Sequence, residues 1–132
     1  MKKTIRVVGA MIENEIGEIL CALRSKDMSM PNLWEFPGGK IEIGETIEDA
    51  IVREIDEELD CEIEFKEIFH DHTHEYEKVI VNLIVVKCKL ISRIPTATEH
   101  AKLMWLSPEN LTSLVWAPAD IPAVNKIDKS EK

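Results

Sequence analysis

The chain has 132 residues, 45% hydrophobic and 31% charged, which suits one folded domain with a single core and excludes wholesale disorder. Its 16 Lys and Arg against 25 Asp and Glu leave a net charge of −9. That charge repels phosphate on average and argues against general binding to duplex nucleic acid or an anionic membrane, though a metal ion can invert the sign locally and admit a small phosphorylated ligand.

Residues 4–12 (TIRVVGAMI) are β-branched and apolar and read as a strand, residues 13–18 as a turn, and residues 19–24 (ILCALR) as the return strand of a hairpin. Acidic residues soon follow the first apolar run and no cleavage pattern appears, so a signal peptide is not expected. Residues 25–34 read as a polar loop, and Glu35-Phe36-Pro37-Gly38-Gly39-Lys40 as a segment that suits no regular element: Pro37 fixes φ, and two glycines permit unusual backbone angles. Residues 46–59 form the clearest helix. Thr46 and Asp49 make a capping pattern, and Ile47, Ala50, Ile51, Ile55 and Leu59 an apolar stripe. Residues 61–69 and 78–91 read as strands, the second apolar enough to be central. Residues 102–106 suggest another strand, Ser107-Pro108-Glu109 a short helical turn, and Pro118 or Pro122 the start of a last helix, with residues 125–132 as a frayed tail. The expectation is a single domain over residues 1–132, of α+β class: a mixed β-sheet flanked by helices, an α/β/α sandwich. Cys21, Cys61 and Cys88 are odd in number and widely spaced, which argues against a disulfide framework and suits a reducing, cytoplasmic setting. No apolar stretch approaches the roughly 20 residues of a membrane span.

The helix carries a physical puzzle. Glu54, Glu57 and Glu58 fall within an arc of roughly 100°. Like charges at these spacings weaken a helix, and they crowd its C-terminal half, where the dipole prefers cations. A solvated acidic face and a divalent-cation site both remain open on the helix alone. The preceding Gly-Gly turn and Lys40, a phosphate-seeking cation, favour the second, with Mg²⁺ or Mn²⁺ suited to carboxylate oxygens. His70, His72 and His74 alternate, so on a strand they share a face; that pattern binds zinc where a fourth ligand exists, and none is evident here, which favours a polar strand end near a pocket mouth.

The stretch Gly39 to Cys61, GKIEIGETIEDAIVREIDEELDC, resembles the Nudix hydrolase signature, with Gly39, Glu45, Arg53, Glu54, Ile55, Glu57 and Glu58 at matching positions. Asp60 stands where the family has Gly, at a helix end where a left-handed residue is wanted, and puts helix termination in question. Similarity to the MutT-like branch extends through LWEFPGGKIEIGET and, weakly, WAPADIP at residues 116–122. The resemblance implies a Nudix fold and a Mg²⁺- or Mn²⁺-dependent hydrolase that cleaves a nucleoside triphosphate to monophosphate and pyrophosphate. It implies that Glu54, Glu57, Glu58 and the Gly38 carbonyl hold metal, that Glu54 activates water, and that Arg53 pairs with Glu45. It further places Arg24 and Lys40 on phosphate, Glu99 as a possible additional acid, and Asp120 on the base edge, with Phe36, Trp116 and Trp34 as a stacking wall or as ordinary core. Oxidised dGTP is the favoured substrate, CTP or a modified cytidine triphosphate the alternative, and a non-catalytic nucleotide-binding module the rival of another class. The expected assembly is a monomer or homodimer with no duplex nucleic acid and no membrane partner.

Overall fold

The computed structural model describes residues 2–130. Two long strands form its spine. β1 (Lys3–Glu13) runs parallel to β6 (Val79–Ser92) in unbroken register from Lys3 opposite Val79 to Glu13 opposite Lys89. Both read as near-continuous apolar runs because both are covered on two sides. Val8, Ala10, Ile12, Ile84 and Val86 face Ala50, Ile51, Ile55 and Leu59 of α1 (Ile47–Leu59), while Met11, Leu83 and Val85 face Ala123, Val124 and Ile127 of α2 (Ile121–Ser130). The result is the expected α+β sandwich, a mixed sheet between helices. Truncating a fully buried side chain at its centre, such as Ile51, to Ala costs roughly 2–5 kcal/mol.

Several elements depart from the sequence reading, each for a physical reason. The first hairpin is paired only at its root, Glu13 opposite Ile19. Beyond it β2 (Ile19–Leu23) leaves β1 to pair with β7 (Lys102–Leu106) and with β3 (Trp34–Glu35). The space beside β1 is filled by β4 (Gly38–Lys40), Gly38 lying opposite Gly9 and Gly39 opposite Val8. The Gly-Gly segment is therefore a strand, and neither glycine has positive φ. What they supply is room: a Cβ on Gly38 would meet the Val8 carbonyl oxygen at 1.9 Å, and one on Gly39 would meet Glu54 Oε2 at 2.4 Å.

β5 (Glu62–Glu75) outruns its expected end at residue 69 and carries the histidines on an edge strand, with register shifts that keep it paired to β6. His70, His72 and His74 lie opposite Val85, Leu83 and Val81, on the α2 side. The stretch 125–130 continues α2 instead of fraying, because Ile127 is buried; residues 131–132 lie outside the described residues. A short 3-10 turn over Pro118–Asp120 delivers the chain into α2, and another spans Pro108–Ser113.

Helix α1 begins where the capping pattern placed it, with Thr46 accepting the Asp49 N–H at 3.0 Å. Asp60 ends it in the left-handed conformation (φ 50°, ψ 45°) that a glycine would adopt more easily. The orphan carbonyls of this acidic terminus are met from outside the helix: Thr98 Oγ1 donates to the Glu58 carbonyl at 2.6 Å, Thr96 N–H to that of Leu59 at 2.8 Å, and Arg93 Nε to that of Asp60 at 3.1 Å. No helix among the described residues is long and apolar enough to cross a membrane.

Candidate active site

The buried stripe of α1 fixes where its acids point. Ile51 and Ile55 dock on the sheet, and Glu58, on their flank, is only 9% exposed, whereas the Glu57 side chain is 59% exposed. Arg53 organises the group. Its Nε and NH2 clamp Glu45 at 2.6 and 2.8 Å, its NH1 reaches Glu54 at 2.9 Å and Glu57 at 3.4 Å, and NH2 also donates to the Lys40 carbonyl at 3.1 Å. One guanidinium thus ties the loop before α1 to the helix, and it holds the Glu45 carboxyl down at about 2.

Glu58 is in the opposite condition. Burial, aided by the adjoining carboxyls of Glu54, Glu35 and Glu99, pushes it up to about 9. Among the described residues, no three His, Cys, Asp or Glu side chains stand as a ready metal cage. The reason is visible at Arg53, which draws Glu54 and Glu57 to itself. The donor set still fits a hard divalent cation: three carboxyls from one helix face, one of them desolvated among further acids with Arg53 on the outer side only, leave a charge deficit that such an ion fills. Gly39 is the cradle that lets Glu54 lie against β4.

A cavity of about 270 Å³ opens beside Glu58. Glu35, Glu58 and Glu99 reach it together with Arg24 and Gly38, and so do Phe36, Tyr76 and Asp120. Asp120 is buried, and burial pushes its carboxyl up to about 8. Its Oδ1 accepts the Phe36 N–H at 3.1 Å, and its second oxygen makes no hydrogen bond among the described residues, on a side chain that lines the cavity. Tyr76 accepts the Ala119 N–H through its hydroxyl at 3.0 Å, clamping the Asp120 turn to the β5–β6 hairpin.

The other expected site residues fall elsewhere. Lys40 is exposed and lines a separate cavity with Lys3 and Arg6. Trp116 is 5% exposed, donates its indole N–H to the Leu111 carbonyl at 2.7 Å and stacks at 5.0 Å behind Phe36; it supports the cavity wall from the core, and Trp34 is half-buried beside it. The three histidine rings stand 6.3 and 5.9 Å apart along the β5 edge without forming a metal group. All three cysteines are free and buried, which raises their thiols.

Three residues escaped the sequence reading. Tyr76 is one. The others are Glu35 and His100, which join Arg24 in a chain: Arg24 NH1 to Glu35 Oε1 at 2.6 Å, then Glu35 Oε2 to His100 Nε2 at 2.8 Å. His100 Nδ1 is the one buried side-chain polar atom among the described residues that has no partner, a condition that costs about 1–3 kcal/mol. The only signal in the sequence was adjacency, since Glu35 precedes Phe36 and His100 follows Glu99.

The carboxyl cluster on α1, the glycine cradle and the cavity together set what a relative must share. A model of the NUDIX domain matches residues 3–126. The chain belongs to the Nudix family. A CTP pyrophosphohydrolase of Escherichia coli K12 is 40% identical over 120 residues, 91% of this chain and 88% of that protein. An 8-oxo-dGTP diphosphatase of the same strain is 32% identical over 127 residues, 96% and 98% of the two chains. Among solved structures, a MutT Nudix hydrolase from methicillin-resistant Staphylococcus aureus 252 is 52% identical, with a TM-score of 0.79 over 98% of this chain and 99% of that one. This Nudix chain is accordingly an enzyme, a hydrolase, and its family generally depends on divalent metal.

Proposed function

We propose that this Nudix domain is a Mg²⁺- or Mn²⁺-dependent nucleoside triphosphate pyrophosphohydrolase, releasing a nucleoside monophosphate and pyrophosphate. The observation that carries the reading is the shared cavity, which brings the desolvated acid Glu58 and the buried base-reading candidate Asp120 to one ligand-sized space. Glu54, Glu57 and Glu58 are the residues that would hold the metal, with the Gly38 backbone beside them. Bound there, a divalent ion neutralises phosphate charge and makes water more acidic. Glu54 accepts the proton of the attacking water. Arg24 donates to phosphate oxygens from a guanidinium already oriented by Glu35 and by the Ser29 carbonyl at 2.6 Å. Arg53 acts at one remove, holding Glu45 and Glu54 in place.

Phe36, backed by Trp116, gives the base an apolar wall. Asp120 reads the base edge: a buried carboxyl that keeps its proton donates and accepts at once, matching an edge with an acceptor beside a donor. Oxidised guanine and cytosine both present such an edge. The 32% identical 8-oxo-dGTP diphosphatase supports the first reading, and the 40% identical CTP pyrophosphohydrolase supports the second.

The test is a panel of CTP, dCTP, dGTP and 8-oxo-dGTP, assayed with Mg²⁺, with Mn²⁺ and with chelator. The reading expects pyrophosphate as product, a rate that vanishes with chelator, and one base preferred by kcat/KM. Release of inorganic phosphate, or turnover unaffected by chelation, contradicts it.

A further inference from the structure

His100 is an anomaly behind the cavity wall, between Glu35 and Glu58, which line it. Its side chain is 0% exposed. Glu35 accepts from Arg24 through one oxygen and from His100 Nε2 through the other, so Nε2 is the donor. That leaves Nδ1 facing Glu58 Oε2 at 3.8 Å, too far for a hydrogen bond and with nothing else within reach. The segment bearing His100 is anchored on both sides. Thr98 holds the Glu58 carbonyl at the end of α1, and Ala101 N–H donates to the Leu23 carbonyl at the end of β2 at 2.9 Å. His100 therefore sits on a strap that joins the acid helix to the strand ending next to Arg24.

We propose that His100 is a positioning residue for the reaction, its imidazole spanning Glu58 and Glu35 so that the acid of α1 and the cation Arg24 keep a fixed separation. Polar residues behind a metal ligand commonly set its orientation and the affinity of the site. Nδ1 without a partner is then a contact held ready: with a proton on each ring nitrogen the imidazole donates to both carboxyls, and a small turn of Glu58 as it engages a cation closes the 3.8 Å gap. The inference rests on the reading of Glu58 as a metal ligand.

The experiment measures binding of Mn²⁺ alone, by the electron-spin signal of the free ion, to the wild type and to the variants His100→Gln, His100→Asn and Glu57→Gln. Thermal melting is followed in parallel. Gln places its amide where Nε2 stands and keeps the Glu35 contact, whereas Asn places it where Nδ1 stands and keeps a polar group toward Glu58. The expected result is about tenfold weaker Mn²⁺ binding in His100→Gln, with His100→Asn close to wild type although both melt earlier. Equal affinity in wild type and His100→Gln, or equal weakening in both histidine variants in step with their melting temperatures, overturns the positioning role. Glu57 makes no contact with His100, so it separates the two ideas. If Glu57→Gln binds Mn²⁺ as wild type does, the metal reading fails and the His100 role falls with it. If Glu57→Gln loses binding and His100→Gln does not, the His100 role alone is overturned. A measurement that needs no variant reads the ¹⁵N shift of His100 Nδ1 as Mg²⁺ is added: a shift is expected, and an unmoved resonance counts against the contact.

Discussion

At one end of the cavity Glu58 of α1 stands among the carboxyls of Glu54, Glu35 and Glu99, whereas at the other the polar groups come from the chain just after β3, the β5–β6 hairpin and the turn before α2. The helix end is over-charged and short of a partner: Glu58 is raised to about 9 by burial and by its acidic neighbours. The far end closes on itself: Asp120 has the Phe36 N–H, Tyr76 has the Ala119 N–H, and Trp116 has the Leu111 carbonyl. Under the proposed function, the difference separates two tasks. A group that awaits a cation is left electrostatically incomplete, whereas a group that reads shape and hydrogen bonds is fixed beforehand, so that little is reorganised on binding.

The sharpest way to break this division is Glu57→Gln. The residue is exposed, so the fold should hold, while kcat/KM falls by roughly two orders of magnitude or more. A near-normal rate with normal circular dichroism would remove the cation from the account. The two glycines separate structure from chemistry. Gly38→Ala drives a methyl into backbone, 1.9 Å from the Val8 oxygen, and should cost about 1–3 kcal/mol of stability in denaturant unfolding. Gly39→Ala meets only the movable end of Glu54, at 2.4 Å, and should cost little stability but at least about tenfold in rate, since a misplacement near 1 Å can cost 10²-fold. Were the two variants to behave alike, the steric account of the cradle would be wrong.

At the base end, Asp120→Ala should change the ratio of kcat/KM between CTP and 8-oxo-dGTP by about tenfold, some 1.4 kcal/mol of discrimination. Equal loss on all triphosphates would show that Asp120 does not read the base. The smallest effect concerns pH. The Asp120 carboxyl stands at about 8 in the folded chain, against about 3.9 when unfolded. The native state thus keeps a proton that the unfolded chain releases, and this residue's contribution to stability declines as pH rises from about 4 toward 8. Asp120→Asn retains an acceptor for the Phe36 N–H and removes the penalty. Its melting temperature should gain on the wild type between pH 5 and pH 8; a gap that shrinks over that range contradicts a buried, protonated acid.

The same contrast explains what was legible beforehand. The helix end is local: Thr46, the apolar stripe and Glu54, Glu57 and Glu58 lie within one short stretch, and helical geometry turns their spacing into a face. The central strands were legible for a like reason, being buried on both faces. The far end is non-local. Phe36 and Asp120 are 84 positions apart and Glu35 and His100 are 65, so no periodicity connects them. Nor could spacing show that pairing of β4 with β1 places Lys40 on a second cavity beside Lys3 and Arg6. It found the glycines but assigned them conformational freedom, where the cause is the closeness of Val8 and Glu54.

The most direct test of the central claim is Mn²⁺ binding to the purified wild-type chain, followed calorimetrically with no nucleotide present and repeated on Glu54→Gln. The account predicts saturable binding that is weakened at least tenfold by the substitution. Wild-type protein that takes up no Mn²⁺, or a variant that binds it equally well, would contradict it.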